Sequence, residues 1–152
     1  RQIKKEQLTA VADQQSILNQ LVKAAKGTQF GKDHHFDQIT DYASFKKAVP
    51  IRDYEGFREY IDQIKKGTQN VLWKGLPLYL AKTSGTTSGI KYIPISKESI
   101  SNHISGARNA ILTYMSGSGN TDFAGGKMIF LSGSPELERV GGIPTGRLRC
   151  IL

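Results

Sequence analysis

Cysteine is almost absent from this sequence: Cys150 stands alone among 152 residues. No internal disulfide can form, and nothing around Cys150 has the spacing of a metal site or an activated nucleophile, so it reads as a core or interface residue. Long apolar runs are missing too. No stretch approaches the ~18 apolar residues needed to cross a membrane, and no signal-peptide pattern opens the chain. The cytoplasm is the expected compartment, with no membrane partner. Acidic residues are scarce as well, thirteen Asp and Glu against twenty-one Lys and Arg, for a formal net charge of +8. Such a surplus can signal nucleic-acid binding, but the lysines come as short pairs (Lys4-Lys5, Lys46-Lys47, Lys65-Lys66) on helical faces rather than as one basic stripe. A solvated surface is the better reading. It carries a general attraction for anionic nucleotides and no expectation of a nucleic-acid partner.

What is present supports a folded core, with 38% hydrophobic and 22% charged residues, and the pattern runs from helices to strands. From about Lys4 to Lys26 the positions Leu8, Val11, Ala12, Leu18, Leu21, Val22 and Ala25 repeat at helical spacing, one face packing inward, and Gly27 is placed to end the helix. Thr28 to Gln38 reads as a loop whose adjacent His34 and His35 point different ways, as surface residues rather than metal ligands. Thr40 or Asp41 can cap a short helix to Ala48, and Asp53 a longer one with Phe57, Tyr60, Ile61 and Ile64 as its apolar stripe before Gly67. Trp73 and Tyr79 read as core aromatics. Leu76 to Lys82 and Ile90 to Ile95 read as two strands.

Between those strands lies Thr83-Ser84-Gly85-Thr86-Thr87-Ser88-Gly89, every residue glycine or hydroxyl-bearing. Such a run offers backbone N–H groups without side-chain bulk, together with O–H donors, which is what a polyphosphate needs. Neither common glycine motif fits, since both the G-x-x-x-x-G-K-[ST] loop and the G-x-G-x-x-G fingerprint open into a helix. A plain hairpin tip has the same composition, but Lys91, close enough to pair with a phosphate, favours a nucleotide grip. A helix follows from about Lys97 to Met115, with Ile100, Ile104, Ala107, Ile111 and Met115 in one stripe. At ~100° per residue, Arg108 falls about 40° from Ile104, at the stripe's edge. It either snorkels along the core or faces a ligand. His103, on the flank near Tyr114, reads as a core-edge histidine rather than a general base. Beyond Met115, Ser116 to Asn120 reads as a turn, Lys127 to Leu131 as a strand, and Ser132 to Gly146, including Gly141-Gly142, as an ordinary loop.

The run T-S-G-T-T-S-G-I-K-Y-I-P-I-S from Thr83 to Ser96 resembles the first nucleotide-binding motif of the adenylate-forming superfamily. More narrowly, it resembles that of the Gretchen Hagen auxin-responsive promoter family, whose plant members include acyl acid-amido synthetases. Thr28-Gln29-Phe30-Gly31-Lys32 and the run Tyr54 to Trp73 with Gly67 are similar to that family's helical N-terminal part. His103, Gly126 to Phe130 and Ser132-Gly133-Ser134-Pro135 are similar to its bacterial members. The resemblance implies an α/β fold, the N-terminal part of an adenylate-forming (firefly-luciferase-like) large domain, with a helical start followed by mixed strands and helices. Residues 1–152 would then be the N-terminal part of the ATP-binding large domain, with the rest of that domain and a mobile C-terminal domain lying outside them. Such a fragment is expected to be inactive by itself.

The activity implied is a ligase reaction with ATP and Mg2+ as cofactors. A carboxylic acid attacks the α-phosphate, pyrophosphate leaves, and an amine or amino acid takes the acyl group. The resemblance makes Thr83, Ser84, Gly85, Thr86, Thr87, Ser88, Gly89 and Lys91 the cofactor-binding set. It makes Arg108 and His103 the substrate-binding candidates, because this helix borders the acyl site in the family. Two other readings stay open: an acyl-CoA-type ligase with a thiol acceptor, and a non-enzymatic basic interaction module.

Overall fold

The computed structural model describes residues 2–83, 89–126 and 137–147, without the side chains of residues 2–6, 123 and 124. The expected strand at 127–131, Cys150 and the body of the hydroxyl-glycine loop, 84–88, lie outside the described residues. The chain divides into two compact units, residues 1–76 and 77–152.

The first unit is helical: α1 (Gln2–Ala25), α2 (Gln29–Asp33), α3 (Tyr42–Ala48), a 3-10 turn at Glu55–Phe57 and α4 (Arg58–Lys65). Its core gathers Val22, Ala25 and Phe36, with Leu18, Phe30, Ile39, Phe45, Val49 and Trp73 packed around them. Trp73 is thus a core aromatic, as expected. The stripe on α1 is buried only toward its C-terminal end, whereas Leu8 and Val11 are 88% and 81% exposed, because no described part of this unit lies along that half of the helix.

A short helix, α2, replaces the loop expected over 28–38. Thr28 makes the corner, donating its hydroxyl to the Ala25 carbonyl (2.7 Å) and accepting the Gly31 N–H (3.0 Å) as N-cap. The otherwise orphaned N–H groups of Gln29 and Phe30 donate to the carbonyls of Asn70 and Val71. Glycine is needed at position 31 because a Cβ there would run into the Ala25 carbonyl. The two histidines do diverge, but only His35 is exposed. His34 is 5% exposed and stacks on Phe30 with ring centroids 4.0 Å apart. Its Nδ1 lies 2.8 Å from the Phe30 carbonyl and its Nε2 2.8 Å from Arg52 Nη2. A carbonyl only accepts and a guanidinium only donates, so the partners assign the proton to Nδ1. The surface reading of His34 is overturned: both ring nitrogens found partners, which is what lets an imidazole enter a core.

Of the two caps expected for these helices, the one at α3 is present. Asp41 accepts the Ser44 N–H and Ser44 answers in a capping box at the start of α3. Asp53 does not cap the longer helix as expected: its carboxylate accepts the Gly56 N–H at 3.0 Å, in the 3-10 turn that precedes α4, and α4 itself starts from Phe57 with no side-chain cap. Ile61 and Ile64 on α4 are buried.

The second unit holds β1 (Tyr79–Lys82), β2 (Tyr92–Ile95), α5 (Lys97–Ser118), a 3-10 turn at Asp122–Gly125, β3 (Glu138–Val140) and β4 (Ile143–Arg147). The strands form a sheet in the order β2-β1-β4-β3. β1 runs antiparallel to β2 and parallel to β4, and β3 pairs antiparallel with β4. Leu80, Ile143 and Thr145 are fully buried, and Tyr79, Ala81 and Ile95 pack with Ile100 of α5. The region expected to be a loop over 132–146 therefore contains a hairpin, turned by Gly141-Gly142 at φ +58° and +79°. α5 runs past its expected end to Ser118, where Gly119 at φ +68° closes it.

Candidate functional site

The two strands expected on either side of the hydroxyl-glycine run are present. β1 and β2 lie side by side with Lys82 opposite Tyr92, and the hydroxyl-glycine run connects them. At its foot the Thr83 N–H donates to the Lys91 carbonyl (3.0 Å) and the Lys91 N–H donates to Thr83 Oγ1 (3.2 Å). Gly89 has φ +79° with nothing near a would-be Cβ. Its glycine answers a backbone requirement rather than a crowded one. Thr83, Gly89 and Lys91 are thus brought to one neck, while Ser84, Gly85, Thr86, Thr87 and Ser88 lie outside the described residues.

Cationic side chains gather at this end of the sheet. Strand register puts Tyr92, Lys82 and Arg147 in one cross-strand row. Lys82, whose side chain is only 18% exposed, pairs with Glu138 of β3 at 2.5 Å. Lys82 and Arg147 therefore share one face of the sheet, with Glu138 as counter-charge to Lys82, while Lys91, one residue before Tyr92 and opposite Thr83, falls on the other face by strand alternation. Lys82, Glu138 and Arg147 were not singled out in the sequence. Lys82 was readable from its place beside Thr83, but the other two depend on the hairpin.

Tyr79 is 4% exposed and donates its hydroxyl to the Arg147 carbonyl (3.0 Å). It passes so close to β4 that a Cβ on Gly146 would stand 2.5 Å from its oxygen. It serves the core, as expected, and is not open for base stacking.

Ser96 caps α5 by accepting the Ser99 N–H. Of the expected stripe, Ile100 packs on the sheet, whereas Ile104 and Ile111 are 49% and 42% exposed. The described residues of this unit cover only the first turn. Arg108 and His103 are both exposed among the described residues. Five positions separate them, which on a helix is roughly 140° of rotation, and α5 does not bring them onto one face. An open groove of about 380 Å³ lies farther along α5, lined by Ala110, Ile111, Tyr114 and Asn120. Among the described residues there is no group of three or more His, Cys, Asp or Glu able to hold a metal ion, and no helix long and apolar enough to cross a membrane.

Comparison with known proteins agrees with this geometry. Residues 1–149 match the model of the GH3 family N-terminal domain. Over 94 residues, 60% of this chain and 16% of the relative, the sequence is 34% identical to indole-3-acetic acid-amido synthetase GH3.15 of Arabidopsis thaliana. The fold is similar to that of the AtGH3.15 acyl acid amido synthetase in complex with 2,4-DB, with a TM-score of 0.74 and 24% identity, covering 91% of this chain and 24% of that one. The chain thus spans about a quarter or less of the length of the relatives it matches.

Proposed function

Because the chain belongs to the GH3 family, through that family's N-terminal domain, we propose that the protein carrying it is an ATP-dependent ligase that activates a carboxylic acid as acyl-AMP and conjugates it to an amine or amino acid. Residues 1–152 form the N-terminal part of its ATP-binding large domain. The observation that carries this reading is the glycine-hydroxyl run joining antiparallel β1 and β2 at a neck that holds Lys91.

The chemistry assigned to these residues is electrostatic. A substrate carboxylate is already ionised at neutral pH, so its attack on the α-phosphate of ATP needs no general base. What the site must supply is charge stabilisation as pyrophosphate departs. The N–H groups and hydroxyls of residues 84–88, with the Lys91 ammonium, hold the β- and γ-phosphates and spread the charge that grows on them. Arg147, at the same end of the sheet, adds positive potential, while Lys82 is offset by Glu138. Mg2+ binds chiefly through substrate phosphates and keeps several waters, so it would be held by the nucleotide itself and would supply neutralisation of phosphate charge. Arg108, exposed on α5, is assigned to the carboxylate of the acyl substrate, and the apolar groove beyond it to that substrate's body.

The test is pyrophosphate release by the full-length protein with ATP, Mg2+ and a panel of carboxylic acids. Acid-dependent release is expected, falling at least about tenfold in Ser84→Ala and in Lys91→Ala, equivalent to about 1.4 kcal/mol of lost transition-state stabilisation. Absence of release with every acid, together with absence of ATP binding, overturns the reading.

A further inference from the structure

The neck of the phosphate loop is not closed by an ordinary strand rung. The register that pairs Ala81 with Ile93 and Lys82 with Tyr92 continues to Thr83 opposite Lys91, and the Thr83 N–H duly donates to the Lys91 carbonyl at 3.0 Å. In a two-bond antiparallel rung the return bond runs from the second residue's N–H to the first residue's carbonyl. Here the Lys91 N–H donates instead to the Thr83 hydroxyl oxygen at 3.2 Å. A side chain has taken the place of the backbone acceptor, and it sits at the last position before the loop departs.

We propose that Thr83 is a positioning residue rather than a phosphate ligand. Its hydroxyl oxygen pins the Lys91 backbone, and so fixes where the Lys91 side chain leaves the sheet relative to the loop. This inference rests on the ligase reading above and reassigns one residue within it. The observed bond uses the Thr83 hydroxyl as an acceptor, and the two roles differ in how they couple to Lys91. A threonine that contacted phosphate directly would act independently of Lys91, whereas one that holds the Lys91 backbone acts only through it.

The distinction is measurable by a double-mutant cycle in the full-length protein, comparing kcat/KM for ATP across wild type, Thr83→Val, Lys91→Ala and the double variant. Thr83→Val keeps the shape and branching and removes the acceptor; Thr83→Ser restores an acceptor. Alone, Thr83→Val is expected to lower kcat/KM by about three- to tenfold, the range for one lost hydrogen bond. In the Lys91→Ala background the same change is expected to have almost no further effect, because residues acting as one unit are not additive. Thr83→Ser is expected to recover most of the loss. Without nucleotide, amide exchange around Lys91 should quicken in Thr83→Val and return to the wild-type rate in Thr83→Ser. Additive losses in the cycle overturn the inference and make Thr83 a direct ligand; unchanged exchange around Lys91 in Thr83→Val overturns it too. A wild-type protein that releases no pyrophosphate defeats the ligase reading instead. The exchange comparison needs no nucleotide, so the two failures are distinguishable.

Discussion

Hydroxyl and carboxylate oxygens in this chain repeatedly serve as backbone punctuation. Thr28 accepts the Gly31 N–H, Asp41 the Ser44 N–H and Ser96 the Ser99 N–H, each satisfying a donor at a helix start that the helix itself leaves open. Thr83 does the same at a strand end. Asp41 also carries a pH signature. The hydrogen bonds from Ser44, its backbone N–H first and its hydroxyl second, hold the Asp41 carboxyl below the ordinary carboxylate range. The folded state therefore favours the ionised form. Its contribution to stability is fully present above the unfolded-state value of about 3.9 and is lost as pH falls through the lower folded-state value. In an acid titration followed by NMR, the Ser44 amide shift should move with a midpoint below that of an ordinary aspartate, and the step should vanish in Asp41→Asn, which keeps a capping oxygen. A midpoint at or above the ordinary value would contradict the cap. Tyr60 has the opposite sense. Burial, then its bond to Asp33, push its phenol up, so its contribution is kept below the ordinary tyrosine range and lost only as alkaline pH passes the raised value.

At the scale of elements, the β3–β4 hairpin matters most to the site and was hardest to read. Gly-Gly between two strands is a known hairpin turn, yet Glu138-Arg139-Val140 has no apolar alternation and Pro144 argues against a strand. The structure nonetheless sets β4 inside the sheet, between β1 and β3. Its burial comes from Ile143, Thr145 and Gly146 packing beside β1 rather than from a local pattern. By contrast, the strands either side of the hydroxyl-glycine run were legible because each is bounded by turn residues. α3 was legible from its cap, and α4 from its stripe. α2 escaped because its helix is held by Thr28 and by carbonyls at Asn70 and Val71, partners some forty positions away that no local window contains. Because both turn glycines sit at positive φ, Gly142→Ala should destabilise the full-length protein by about 1–2 kcal/mol, the strain of a left-handed alanine. Gly141→Asn should be nearly neutral, as in Asn-Gly turns. Equal denaturation midpoints for Gly142→Ala and wild type would mean that the turn is not held in this conformation.

For the molecule as a whole, charge acts at two ranges. The chain's formal charge of +8 includes scattered pairs such as Lys46-Lys47, which sit in the helical unit, and a local group at the neck, Lys82, Lys91 and Arg147. Exposed charges beyond a Debye length, about 10 Å at 0.1 M salt, are largely screened, whereas contact pairs with a bound phosphate persist. Exposed lysines that make no contact with a bound phosphate speed encounter with an anionic nucleotide at low salt rather than hold it once bound. In stopped-flow binding of ATP to the full-length protein, Lys46→Gln with Lys47→Gln should lower the association rate at low ionic strength and flatten its salt dependence, leaving the dissociation rate unchanged. Lys91→Ala should raise the dissociation rate at low and high salt alike. If the Lys46-Lys47 pair changed dissociation as much as Lys91 does, the neck would lose its claim to be where the phosphates rest. The solvated-surface reading of the remaining lysines would fall with it.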